Sequence, residues 1–281
     1  MSVKFIILGS GSSGNCAYLE TAEARVLIDA GFSPRQIRQR LATIGRTPEN
    51  LTAILLTHEH SDHISGLPGL ADKLQIPVYC NRGTQDGTLW AFKDRWTSKK
   101  APALEGLDNP GTLKKKMDWH LFETGASFEI ADVQVDTFSI PHDAQDPVGF
   151  LIRTAAGNFG FATDLGHMTK LVIERTRPAN VLVLESNHDV KLLQDCPHRP
   201  WSLKQRILGR HGHLSNDAAA DAAEQIVSPH LTHLYLGHLS YQCNKPEIAR
   251  RVTHERLLQI RATHVQLQIA LQNMPAALLE L

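Results

Sequence analysis

Cysteine is scarce and scattered. Cys16, Cys80, Cys196 and Cys243 form no CxxC pair in the 281 residues. That is the pattern of a reduced, intracellular chain with four buried or incidental thiols. No stretch approaches the roughly 18 apolar residues of a membrane span, and the early run FIIL is too short for a secretory signal. A cytoplasmic location without membrane contact is the expectation. Net charge is missing too, because 29 Lys and Arg offset 29 Asp and Glu. Coating of nucleic acid or membrane by bulk charge is therefore not expected, although a local basic groove stays compatible with the balance. Repeats, low-complexity tracts and linkers are absent as well. One domain of this length is a normal size, and no oligomeric state is predicted.

What is present is a series of short apolar runs separated by turns and helical spacings. VKFIILG, CAYLET, RVLIDAG and LTAILLT read as strands, as do PVYC, SFEIADVQVDTFSI, VGFLIRT, NFGFATD, ANVLVLES and THLYLGH. SPRQIRQRLATIG reads as a helix with a cap at Ser33 and a stop at Gly45. SGLPGLADKL, TKLVIERT, SNDAAADAAEQIV and a terminal KPEIARRVTHERLLQI are further helices. Strands dominate each half and helices intervene, which predicts two sheets with helices outside them. Residues 85–122 look like an insertion, mixing Trp90, Phe92, Trp96 and Trp119 with Lys93, Arg95, Lys99, Lys100 and the run Lys114, Lys115, Lys116. Within it, residues 93–119 suit either a solvated loop with its aromatics packed on the body or a wall for single-stranded nucleic acid, with bases on aromatic faces and lysines on phosphates.

Two motifs compete for the chemistry. Gly9, Gly11 and Gly14 fit G-x-G-x-x-G, but that fingerprint needs a helix directly after the glycines. The β-type CAYLETAEARVLID follows instead. Tight-turn glycines near a cleft are the better interpretation. The second motif is THEHSDH at 57–63, part of an unusual total of fifteen histidines. In an extended segment His58, His60 and Asp62 point toward one side, His63 turns to another point, and Glu59 faces away as an exposed spacer. One catalytic ion uses three protein ligands and an open position, so four ligands in one loop exceed it. Two ions about 3.5–4 Å apart would use them all, given one more ligand each and an anionic bridge. SIPHDA, FATDLGH and YLGHLS offer His142, Asp164 and His238, each at a strand end.

At these residues the chain resembles the metallo-β-lactamase superfamily, whose hallmark is HxHxDH followed by separate His, Asp and His ligands. The resemblance covers nearly the whole chain and implies a single-domain α/β, four-layer αββα sandwich with a dinuclear site at one edge. Carried over, His58, His60 and His142 would hold one ion; Asp62, His63 and His238 the other; Asp164 would bridge them. Asp29 in LIDAG would support the metal loop. GHLSNDAAADAAEQI is similar to the histidine-plus-helix motif of tRNA-maturation phosphodiesterases, with His213 in the histidine's place. LVLESNHD is similar to the strand of its partner carboxylate, here Glu185. ILGSGSSGN, DAGFS, THEHSDH, ESNHD, GHLSN and GHLS together most resemble the bacterial YycJ/WalJ-type branch, regarded as DNA exonuclease-like phosphodiesterases.

That resemblance implies a 5′ to 3′ exonuclease acting on nucleic acid, DNA by expectation. Two cations would neutralise the phosphodiester, and a hydroxide shared between them would attack phosphorus in line. His213, oriented by Glu185, would protonate the leaving oxygen, and Asp62 is placed with these catalytic groups as well as with the ligands. His188, Asn187, Lys114 and Lys115 are candidates for substrate contact. A mixed imidazole and carboxylate set suits zinc first, with manganese or iron as alternatives. The competing activity is hydrolysis of a small thioester, lactone or cyclic phosphodiester. β-Lactam hydrolysis is disfavoured, since Asp164 stands where many such enzymes place a cysteine. A non-catalytic metalloprotein would be expected to lack a ligand, and none is lacking. His120, His198, His211, His230, His233, His254 and His264 are expected at the surface, and His167 at the site rim or the surface.

Overall fold

Strand alternation sets the layering in the computed structural model, which describes residues 2–97 and 117–281. In β1 (Lys4–Gly9), Phe5 and Ile7 enter one buried apolar cluster while Ile6 and Leu8 enter another. Successive side chains leave a strand on opposite faces, so apolar residues at every position demand cover on both sides. The same division recurs in β11 (Val181–Glu185): Val181 and Val183 share the cluster of Phe5, whereas Leu182 and Leu184 belong to a third.

The first sheet adds β2 (Cys16–Glu20), β3 (Arg25–Ile28), β4 (Ala53–Leu55), β5 (Val78–Cys80), β6 (Trp119–Leu121) and β14 (Leu279–Glu280) to β1. Its order is β14-β1-β2-β3-β4-β5-β6. The second contains β7 (Ser127–Ile130), β8 (Val133–Ser139), β9 (Val148–Thr154), β10 (Gly157–Ala162), β11, β12 (His233–Gly237) and β13 (Gln266–Ile269). Its order is β13-β12-β11-β10-β9-β8-β7. Each sheet is antiparallel in one half and parallel in the other: β3 to β6 run together, as do β10 to β13. The faces that meet between the sheets carry Phe5, Phe159, Phe161 and Tyr235, with ring centroids 5.4–5.9 Å from Phe5.

Helices cover the outer faces. They are α1 (Pro34–Ala42), α2 (Ser61–Ile64), α3 (Arg82–Thr97), α4 (Lys170–Thr176), α5 (Val190–Asp195), α6 (Trp201–Leu208), α7 (Asn216–Ile226) and α8 (Pro246–Gln259). The capping box of Ser33 and Gln36 opens α1, and Gly45 at φ +67° follows its last turn. Ser215 accepts from Ala218 N to open α7, whose alanines pack on the second sheet. The result is the αββα sandwich expected of the sequence. None of the described helices is long and apolar enough to cross a membrane.

Several local expectations need correction. SGLPGLADKL is not one regular helix: α2 ends at Ile64, and a π-helical turn spans Pro68–Asp72, where proline's missing N–H disfavours regular pairing. Residues 85–122 begin inside α3, which buries Phe92, and end with β6 as the edge of the first sheet. Lys114 and Lys115 lie outside the described residues. The helix α8 is not the last element, because β13 and β14 follow it and join opposite sheets. His233 is buried in β12, not exposed. Phe5→Ala empties the centre of the inter-sheet core and should cost about 3–5 kcal/mol of folding stability, measured by urea denaturation with an unchanged m-value.

Candidate metal centre

Parallel strands place their C-terminal ends along one edge, where ligand sites of α/β sheets form. The loop after β4 carries His58, His60, Asp62 and His63. His142 follows β8, Asp164 follows β10, Glu185 ends β11, and His238 follows β12. The backbone there is unusual. Asp29, Asp164 and His238 are three of six described non-glycine residues with positive φ, at 61°, 59° and 55°. Such left-handed backbone costs an L-residue about 1–3 kcal/mol and clusters at functional sites.

Donor atoms of two groups of three lie within 4.8 Å of one another: His58, His60, His142, and Asp62, His63, His238. Asp164 reaches both groups, with Oδ2 3.3 Å from His63 Nε2, and Oδ1 3.3 Å from His238 Nε2 and 4.0 Å from His142 Nε2. Nitrogens held at about 2.0–2.1 Å by one tetrahedral ion lie roughly 3.3–3.4 Å apart. His142 Nε2 and His60 Nδ1 are 3.3 Å apart. Asp62 Oδ2 is likewise 3.1 Å from His238 Nε2 and 3.5 Å from His63 Nε2.

The far sides of four of the five rings, those of His58, His63, His142 and His238, are anchored. Thr57 Oγ1 donates to Asp29 and accepts from His58 Nδ1 at 3.0 Å. His63 Nδ1 donates to Asp29 Oδ2 at 2.8 Å, His142 Nδ1 to the Gly212 carbonyl at 3.1 Å, and His238 Nδ1 to Glu185 Oε1 at 3.0 Å. Partners of this kind fix which nitrogen of a ligand histidine faces an ion. His58 Nε2 is buried without a hydrogen-bond partner, an orphan that a cation would satisfy. These imidazole and carboxylate donors therefore fit divalent metal ions.

Charge is finely balanced. Burial disfavours a charged His58 and His142 and lowers both. Burial also opposes charge on His63, yet Asp29, Asp164 and Asp62 raise it well above the usual histidine range; Asp164, Asp62 and Glu185 do the same for His238. Conversely, the surrounding histidines outweigh burial at Asp62 and Asp164, keeping both well below the ordinary carboxylate range.

His213 Nδ1 donates to Glu185 Oε1 at 2.7 Å, and His213 is partly exposed on a cavity of about 180 Å³ beside the ligand groups. Glu185 could be counted in a further donor group with Asp164, His213 and His238. Its oxygens, however, are taken up by His213, His238 and the backbone N–H groups of Leu165 and Leu214. Its carboxyl is held down to about 2, against the effect of burial, chiefly by His213. Asn187 lines the cavity and donates to the His238 carbonyl, whereas His188 is buried and does not line it. His167 is held at Arg210 and stays off the cavity wall. Glu59 is no exposed spacer: it is half-buried against Gly87 of α3 and accepts from Gln145 N at 2.8 Å.

Sequence reasoning missed the supports. Asn15 Nδ2 donates to Asp62 Oδ2 at 3.2 Å, and Ser10 Oγ accepts from His238 N at 2.8 Å, so the glycine-rich turn braces both sides of the site. The signal was the pair of polar residues inside SGSSGN, which a dinucleotide fingerprint does not require. Gly31 is the second support, because a Cβ there would stand 1.6 Å from the Asp62 carbonyl oxygen.

Gly31→Ala should therefore displace the loop and lower both metal content and stability, the latter by about 1–3 kcal/mol, as read by elemental analysis and thermal melting. Acid should have the same effect on metal alone. The raised His63 and His238 hold protons at neutral pH in the metal-free protein and must lose them to ligate, so affinity rises with pH. Each such proton weakens binding roughly tenfold per pH unit of acidification below the raised values, as measured by competition with a chromophoric chelator.

A profile described as Beta-lactamase superfamily domain matches residues 24–238. The chain is 37% identical over 256 residues to exodeoxyribonuclease WalJ of Streptococcus pneumoniae serotype 2, covering 91% of this chain and 88% of that one. It is 34% identical over 250 residues to exodeoxyribonuclease YycJ of Bacillus anthracis, covering 89% and 87%. In shape it is similar to the metallo-β-lactamase fold protein YhfI of Bacillus subtilis, with a TM-score of 0.69 over all of both chains at 14% identity. Strand-end ligand groups, a two-sheet sandwich and these likenesses agree, and the chain belongs to the metallo-β-lactamase superfamily.

Proposed function

We propose that the protein is a metal-dependent phosphodiesterase that removes nucleotides from the ends of DNA, in the 5′ to 3′ direction. The observation that carries it is His213 held on Glu185 at the wall of the cavity, beside two donor groups joined by Asp164. The names of the relatives from Streptococcus pneumoniae and Bacillus anthracis support the nucleic-acid assignment. His58, His60 and His142 would hold one ion and Asp62, His63 and His238 a second, with Asp164 between them. Zinc is the first choice for this donor set, with manganese or iron as alternatives. Bound there, divalent ions supply Lewis-acid charge to phosphoryl oxygens and bring the pKa of water toward neutrality.

The chain's own residues do the rest. Glu185 accepts from His213 Nδ1, which leaves Nε2 directed away from the carboxylate as the atom that delivers a proton to the leaving oxygen. The same carboxylate fixes the His238 ring, so one buried charge orients a ligand and the general acid together. Asn187, by holding the His238 carbonyl, steadies the left-handed turn at that position.

The test is cleavage of end-labelled single- and double-stranded DNA and RNA, with bis-(p-nitrophenyl) phosphate alongside, after stripping and separate reloading with zinc and manganese. Stepwise loss from 5′ ends of DNA is the expected result; turnover of the small ester alone would overturn the nuclease assignment. His213→Ala should slow DNA cleavage by about 10²–10⁴-fold with metal content retained, as read by single-turnover rates and elemental analysis of the same sample.

A further inference from the structure

Two arginines line the cavity beside the proposed ligands, and they are not equivalent. Arg206, on α6, is ion-paired through Nε with Asp143 Oδ2. Arg199 precedes the helix, and its guanidinium has neither ion pair nor hydrogen bond among the described residues; its Nε is buried and unpartnered. A guanidinium stays charged at any pH the protein meets. A buried donor left unpartnered is costly; here that is Nε, on a half-buried guanidinium that lines the cavity, an arrangement that suits an anion.

The carboxylates that line the cavity are all engaged elsewhere. Asp143 is taken by Arg206, Asp62 by His238 and His63, and Asp164 by His63 and His238. His188 lies close enough for the charge of Arg199 to act on it, but burial pushes that imidazole down to about 4 and keeps it neutral. It is buried with both ring nitrogens unpartnered, so it neither pairs with Arg199 nor competes for an anion as a cation. The backbone at Arg199 is also constrained, because Pro200 follows it and opens α6; a residue before proline is confined to extended conformations.

We infer that Arg199 binds a phosphate of the nucleic acid adjacent to the one being cleaved. The inference rests on the phosphodiesterase function proposed above. The scissile phosphate is served by the metal ligands and His213, whereas its neighbour on the strand needs a cation that the chain must provide. A planar guanidinium fork suits two phosphate oxygens at once. Two exposed aromatics adjoin cavity residues in the chain: Trp201, two residues after Arg199, and Tyr241, next to Ser240. Base stacking on such faces tolerates any sequence, which suits an enzyme that must advance along a strand.

The experiment compares wild type, Arg199→Gln and Arg199→Lys on end-labelled single-stranded DNA and on bis-(p-nitrophenyl) phosphate, which has a single phosphate. For Arg199→Gln the KM on DNA should rise about tenfold with a much smaller change in kcat, and the loss in kcat/KM should be at least severalfold greater on DNA than on the small ester. The log–log salt slope of kcat/KM on DNA should become shallower by about 0.7, one single-strand phosphate contact. Arg199→Lys should restore part of both. Wild-type KM and salt slope in the glutamine variant would refute the subsite while leaving the phosphodiesterase assignment intact. Equal losses on both substrates would also refute it, by placing Arg199 in the chemical step or in the fold. A wild-type enzyme that turns over neither substrate would refute the phosphodiesterase assignment, and the subsite with it.

Discussion

The buried carboxylate of Asp29 is the joint on which the rest of the centre hangs. It accepts from the Thr57 backbone N–H, from the Thr57 hydroxyl and from His63 Nδ1, all within 2.8–3.1 Å. Thr57 in turn orients His58. One acid at the end of β3 therefore sets two rings and the start of the loop after β4. Because parallel strands bring β3 and β4 to a common edge, the joint is a direct product of sheet topology. The Thr57 carbonyl then accepts from Val148 N at 3.0 Å, which ties the loop to the opposite sheet.

Glu185 plays the complementary part on the second sheet, holding His238 and His213 with one oxygen and two backbone amides with the other. Both carboxylates lie outward of the imidazoles they orient. Negative charge in that outer ring raises the basicity of the imidazoles, and it would offset the positive charge of any cation held between them. Desolvated polar networks are stable only when every member is satisfied. Within the donor groups, His58 Nε2 and Asp164 Oδ2 are the buried atoms left without a hydrogen bond.

The donor residues that gather at the centre were legible in the sequence because they are local or stand at strand ends. THEHSDH is seven residues long, and His142, Asp164 and His238 each follow a run that reads as a strand without ambiguity. The two-sheet layering followed from runs such as KFIILG and VLVLE, apolar at every position. The supports were harder to see, since Asn15 and Ser10 act across 47 and 228 residues of chain. Helix α3 was missed because Gly83, Gly87 and three threonines depress its intrinsic propensity, and tertiary packing of Phe92 supplies what they lack. Short edge strands such as β13 and β14 carry too few residues for alternation to register. Nothing in CPHRPW separated Arg199 from any surface arginine. Only the cavity wall and the missing partner did.

The left-handed backbone at Asp29, Asp164 and His238 has a consequence for stability as well as for the chemistry. Glycine would relax all three positions, yet it could carry neither ligand nor support. The metal-free chain is thus held together against strain concentrated at one edge, and binding of a cation there would compensate it. Whatever binds the folded state alone deepens its free-energy well by mass action. Supply of a cation that binds there would then bear on how much of the protein survives proteolysis as well as on how fast it works.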